Sequence, residues 1–189
     1  MTSCKSTVQN VSEFLSDNVS FQIVWLCGLN GSGKTTFLKN VLEVLSREKG
    51  ESQKSSIGYL PTYLPRPDGM RVRDLLEILG STKPFTPDES VPFSRETASL
   101  LDRYLQHLST GEIKKVFLTA SCRRHCQYQL WDEPFANLDL ASANELQSWM
   151  MSQRSLRFIC ITHDRLSLES SANSRQFIFE NFRPSLVPR

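Results

Sequence analysis

The sequence predicts an α/β fold: a mostly parallel sheet flanked by helices, with a helical insertion set into it. Three observations predict it. Short β-branched and aromatic runs alternate along the chain with stretches of helical period. A glycine-rich stretch, Gly28 to Thr35, stands between the first such run and the first amphipathic stretch. From Thr62 to His107 the alternation breaks, and Pro65, Pro67, Pro84, Pro87 and Pro92 punctuate the chain. At 189 residues the chain suits one domain, with a core at 20–62 and 109–183 and a helical subdomain at 63–108.

Each element follows in order. Residues 1–19 are polar and weakly patterned and read as a loose lead-in. Phe21 to Cys27 reads as a buried strand. Lys34 to Ser46 reads as a helix with Phe37, Leu38, Val41, Leu42 and Leu45 along one side. Arg47 to Ser55 is loop-like, and Ser56 to Leu60 is a short strand stopped by Pro61. Arg71 to Leu79 and Arg95 to Leu108 read as the helices of the insertion, and Ser109 to Ser121 as a further helix. Tyr128 to Trp131 is a strand, Leu140 to Met151 a helix, and Arg157 to Thr162 and Gln176 to Glu180 are strands. Gln129 interrupts an otherwise apolar run, which predicts one less buried side to that strand. Leu186 to Arg189 matches half of a common protease-cleavage tag and carries no weight in the fold.

Composition narrows the class of function. A net charge of +2 gives no field that points to nucleic acid. The apolar runs are far shorter than the ~20 residues a membrane helix needs. The N-terminus lacks the pattern of an export signal, and the five cysteines are odd in number and irregularly spaced, so reduced thiols and a cytoplasmic location are expected. Cys122, His125 and Cys126 supply at most three ligands with no second cluster, so incidental thiols and solvated Arg123 and Arg124 are the simpler reading.

The chemistry is carried by motifs. Gly28-Leu29-Asn30-Gly31-Ser32-Gly33-Lys34-Thr35 fits G-x-x-x-x-G-K-[ST] and sits between a strand and a helix, the context of a P-loop NTPase. Glycines let backbone N–H groups close around phosphate oxygens, and the helix start adds a favourable dipole. Lys34 is placed for the β- and γ-phosphates of ATP and Thr35 for Mg²⁺, with Thr36 next in the helix. The strand Tyr128 to Trp131 ends in Asp132 and Glu133. A carboxylate at a strand tip suits Mg²⁺ through water, which assigns Asp132, and leaves Glu133 to polarise an attacking water.

With these motifs the chain resembles the ABC (ATP-binding cassette) ATPases. Leu108-Ser109-Thr110-Gly111-Glu112 is similar to the family signature LSGGQ, Ala136-Asn137-Leu138-Asp139 to its D-loop, and Ile161-Thr162-His163-Asp164 to its switch histidine. The resemblance implies a head-to-tail homodimer in which Ser109 and Gly111 of one subunit face ATP on the other. His163 would then contact the γ-phosphate. It also implies a separate membrane-spanning partner, and hence a place at the cytoplasmic face of a membrane. Small bacterial transport ATPases, the haem-exporter type among them, are nearest in size.

Departures from the pattern are informative. Thr62 stands where the family carries a glutamine that contacts Mg²⁺ and the membrane partner. The aromatic that stacks adenine, and the β-subdomain that bears it, look truncated, which leaves Phe14 as the candidate substitute. Two other readings stand beside the transport subunit. Trp131-Asp132-Glu133-Pro134 and Thr162-His163-Asp164-Arg165 are also similar to translation-associated members, which usually join two cassettes by a charged linker. A degenerate cassette that binds ATP only to dimerise is the third, and intact Lys34, Asp132, Glu133 and His163 argue against it.

Overall fold

The computed structural model describes residues 11, 13–18, 20–48, 57–79, 85–124, 126–163, 174–180 and 183–186. Cys4, the loop at 49–55, His125, Asp164 and Arg165 lie outside them. The chain divides into two compact units: 1–59 with 126–134 and 154–189, and 60–125 with 135–153. The 63–108 segment falls in the second unit, which also takes in two of the longer helices.

The first unit is built on a six-stranded sheet. Its strands are β1 (Ile23–Cys27), β2 (Ile57–Leu60), β3 (Tyr128–Asp132), β4 (Arg157–Thr162), β5 (Ser174–Glu180) and β6 (Arg183–Leu186), in the order β2-β3-β4-β1-β5-β6. β1 runs parallel to β4 and β5, and β3 to β4, while β6 closes the edge antiparallel to β5. β6 is not legible as a strand, because Pro184 weakens the pattern; an edge position tolerates it.

Helix α1 (Lys34–Glu48) covers one sheet face. Phe37, Leu38, Val41, Val44 and Leu45 meet Val24, Leu26, Leu130, Ile159, Ile161, Phe177 and Phe179 there, the period-two sets of four parallel strands. Within the expected loose lead-in at 1–19, the described residues are ordered. Residues 13–18 are helical, and Val11 and Phe14 are buried in this same cluster. Phe14 packs edge-on to Phe37 at 5.1 Å and to Phe177 at 5.2 Å between ring centres. Its apolar residues are too few for a clear helical signal in the sequence, and its packing comes from two core aromatics, Phe37 and Phe177.

β3 is buried on both faces, Gln129 included, against expectation. Gln129 Oε1 accepts a hydrogen bond from the Trp131 indole at 3.2 Å, so the polar group is satisfied inside. The space comes from β2: a Cβ on Gly58 would stand 2.0 Å from Gln129 Oε1.

In the second unit lie α2 (Val72–Ile78), α3 (Ser94–Ser99), a 3-10 turn at Leu105–His107, α4 (Thr110–Cys122) and α5 (Leu140–Ser152). The expected helix over Arg95–Leu108 is thus cut short. Backbone bonds from Val72 to Arg103, Arg73 to Leu101 and Leu105 to Met70 draw residues 100–105 out of the helix and against the entry to α2. A bridge between Arg71 and Tyr104 belongs to the same pairing. α3 and α4 are joined by a buried pair of hydroxyls, Thr97 and Thr119, 3.0 Å apart. Arg123 is not a merely solvated charge. It lies 4.5 Å over the Phe85 ring and donates to the Thr86 carbonyl at 2.8 Å.

Candidate functional site

The C-terminal ends of β1, β3 and β4 bring five predicted residues together. β1 ends at Cys27, and Gly28 turns the chain at a φ of 149°. A side chain is excluded at Gly28, because its Cβ would approach the Phe179 carbonyl to 2.5 Å. Gly31 and Gly33 also hold positive φ, 78° and 96°, and the loop passes into α1 at Lys34. α1 has no acidic residue in its first turn, so its positive end stays uncompensated. Asn30 and Gly31 are exposed at the tip of the loop.

Lys34 is buried, and its ammonium donates to the carbonyls of Gly28 at 2.8 Å and Leu29 at 2.7 Å. Burial pushes its pKa below the ordinary lysine range, against the raising pull of Glu133 and Asp132. A cation curled onto the loop's own carbonyls is poised to exchange them for phosphate oxygens. Ser32 Oγ, on the same loop, is buried without a hydrogen-bond partner, a polar atom suited to the same ligand.

The Thr35 hydroxyl donates to Asp132 Oδ2 at 2.7 Å. Thr36, next along α1, is exposed. One hydroxyl and one carboxylate are hard oxygen donors and too few to enclose a metal. Among the described residues no cluster of three or more His, Cys, Asp or Glu could hold one. Such a pair fits Mg²⁺, which keeps most of its waters and takes phosphate oxygens.

Glu133 follows with a left-handed backbone, φ 54°, pinned by its N–H to the Ile161 carbonyl at 3.1 Å. A non-glycine residue held there stores strain of a kind that clusters at working sites. Its Oε1 is buried, 3.0 Å from His163 Nε2 but not aligned as a hydrogen bond. Burial raises the pKa of this carboxyl, with His163 opposing the shift. The other ring nitrogen, His163 Nδ1, is 3.2 Å from the Gly28 carbonyl, which ties β4's end back to the glycine loop.

Sequence reasoning missed Tyr59. It is the penultimate residue of β2, next to β3, and alternation puts it on the same face as Asp132. Its hydroxyl is buried and unpartnered, and burial raises its pKa with the Asp132 charge adding to the effect. The strand period read across neighbouring strands was the available signal.

Three predicted residues lie in the second unit. Thr62 is exposed in the loop after β2. Ser109 caps α4: its Oγ accepts from Glu112 N at 3.1 Å, and the Glu112 carboxylate accepts from Ser109 N at 2.7 Å. Gly111 is tight against the Asn137 carbonyl, which a Cβ would approach to 3.0 Å. Phe14, buried in the core at 6% exposure, is not available to stack a base.

The ABC transporter family profile matches residues 17–136, well over half of the chain, including the glycine loop, the Ser109–Glu112 segment and the acidic end of β3. The chain belongs to the ABC transporter family. It is 32% identical over 163 residues to the zinc import ATP-binding protein ZnuC of Pseudomonas aeruginosa, over 82% of this chain and 60% of that protein. The chain therefore spans less than two thirds of the length of this relative. It is 30% identical to the ribosome protection protein VmlR of Bacillus subtilis, over 92% of this chain and 34% of that one. A solved structure described as the ATP-binding subunit of an ABC transporter superposes with a TM-score of 0.69 at 19% identity, covering 88% of this chain and 79% of the other, which places the fold.

Proposed function

We propose that this chain is the ATP-binding and ATP-hydrolysing subunit of a transporter, energising a separate membrane-spanning partner and working as a head-to-tail homodimer. The observation that carries it is Glu133: a half-buried carboxyl of raised pKa, held by strain beside His163 and directly after the Thr35–Asp132 pair. Lys34 and the loop N–H groups would bind the phosphates, and the Ser32 hydroxyl would find its partner there. Thr35 and Asp132 would hold Mg²⁺, which supplies charge neutralisation of the phosphoryl oxygens when bound. Glu133 would accept the proton of the attacking water, with His163 fixing its orientation. Ser109 and Gly111 would close the site from the second subunit. Among the described residues no helix is long and apolar enough to cross a membrane. Thr62 would meet Mg²⁺ or the membrane-spanning partner.

Glu133→Gln tests the reading. The isosteric amide leaves the Thr35–Asp132 pair intact, so Mg-ATP binding by calorimetry is retained. Hydrolysis falls by about 10²-fold or more, and an ATP-locked dimer elutes early in size exclusion. Unchanged turnover removes Glu133 from the chemistry.

The match to VmlR over nearly all of this chain supports a second reading, a soluble translation-associated cassette. Sedimentation of tagged protein from lysate separates the two. Recovery with ribosomes rather than with the membrane fraction favours the second.

A further inference from the structure

α4 begins with a charge in an awkward place. Glu112 closes the capping box on Ser109, so a full negative charge sits in the first turn of the helix. A carboxylate there stabilises the helix but spends the positive end that would draw a phosphate. Arg103 answers it. Its Nη1 donates to Glu112 Oε1 at 2.5 Å, and its Nη2 to the His107 carbonyl at 2.9 Å. Arg66 holds the next carbonyl, Leu108, at 2.9 Å. The other nearby carboxylate, Asp102, is met by Arg71 and Arg73 instead. Both Arg103 and Glu112 are partly exposed, 44% and 34%, so the pair adds little to stability. Its effect is on local potential.

We propose that Arg103 is a positioning residue that cancels the Glu112 charge, so that Ser109 and the start of α4 can receive the phosphate end of a nucleotide held by a second copy of this chain. This rests on the head-to-tail reading above. Glu112→Gln keeps the capping box, because a glutamine also accepts from the N-cap N–H, and it removes the charge. The charge role and the simple pinning of His107 therefore separate.

Four proteins test it, all in the Glu133→Gln background: the parent, Arg103→Ala, Glu112→Gln, and the two combined. ATP-dependent dimerisation is followed by analytical ultracentrifugation at low and high salt, and Mg-ATP affinity of the subunit by calorimetry. Arg103→Ala should weaken dimerisation by about tenfold at low salt, the scale of one uncompensated interfacial charge, and less at high salt. Adding Glu112→Gln should restore it to within about threefold of the parent, and subunit ATP affinity should hold throughout. The restored double variant also shows that Arg103→Ala folds. If the double variant dimerises as poorly as Arg103→Ala, or if Arg103→Ala matches the parent, charge cancellation is wrong while the head-to-tail reading stands. A parent that binds Mg-ATP yet stays monomeric overturns both.

Discussion

Gln129 shows how one side chain depends on an atom missing across the strand. A polar group with no exposure survives in a parallel sheet because Gly58 leaves room and the Trp131 indole supplies a donor. Gly58→Ala should therefore cost about 1–3 kcal/mol, the usual range for overpacking a full core. The same substitution in a Gln129→Ala background should cost much less. Urea unfolding of the four proteins measures the coupling; equal costs in both backgrounds would mean that the contact does not matter. At this scale the gathering of Lys34, Thr35, Asp132, Glu133 and His163 was legible, the first four from their places beside strand ends and His163 from the family resemblance. Arg103 was not, because the helix expected over Arg95–Leu108 breaks before it, and Tyr59 was not, because Asp132 comes near it only when β2 is laid beside β3. The burial of Gln129 was misread for the same reason: the glycine that admits it lies 71 positions away in sequence, on another strand.

Helix caps decide the element scale. α4 is capped by Ser109 with Glu112 at its third position, and it begins at Thr110, one residue after the expected start. α5 opens on Asp139, which accepts from Ser142 N at 2.9 Å and from its hydroxyl at 2.8 Å. Those backbone and side-chain bonds hold the Asp139 pKa down to about 2. A carboxyl depressed on folding contributes stability above its unfolded pKa, near 3.9, and loses it as pH falls toward the folded value. Asp139→Ala should lower the melting temperature at neutral pH, and the deficit should shrink between about pH 4 and pH 2. Thermal melts across that window check it; a deficit that stays constant points to a cap that does not depend on ionisation. Where elements were misjudged, the cause was tertiary. Residues 100–105 have helical period but are claimed by backbone pairing near α2, and residues 13–18 lack a strong period but are ordered by Phe37 and Phe177.

At the scale of the molecule, the second unit takes in 135–153 as well as the expected 63–108 segment, whereas the mostly parallel sheet flanked by helices was legible from alternation. The antiparallel edge β6 was not, because a four-residue strand with a proline carries no periodic signal. The proposed composite site makes a prediction that no single subunit can meet. Lys34→Ala and Gly111→Asp proteins should each be inactive, the first without its phosphate cation and the second with a carboxylate set against phosphate. Mixed one to one, they should recover up to about a quarter of wild-type turnover, since random pairing gives half mixed dimers and each has one working site. The recovery should rise with protein concentration. Wild-type turnover by either variant as a proven monomer defeats the composite site.

The core packing of Phe14 reaches further than stability. Phe14 is closed in among Phe37 and Phe177, Trp25 is 4% exposed in β1, and Phe21 lies under the Arg175 guanidinium at 4.6 Å. All three aromatics ahead of the glycine loop are thus committed elsewhere. What the proposed site would grip is the triphosphate, and that part of the ligand is common to all four nucleotides. The expected consequence is poor nucleobase discrimination: GTP should compete with ATP to within about tenfold, or about 1.4 kcal/mol, because contacts to the triphosphate do not distinguish the bases. Competition calorimetry with Mg-GTP gives the ratio directly. A preference for ATP of a hundredfold or more would require the adenine to be read by a group other than these rings.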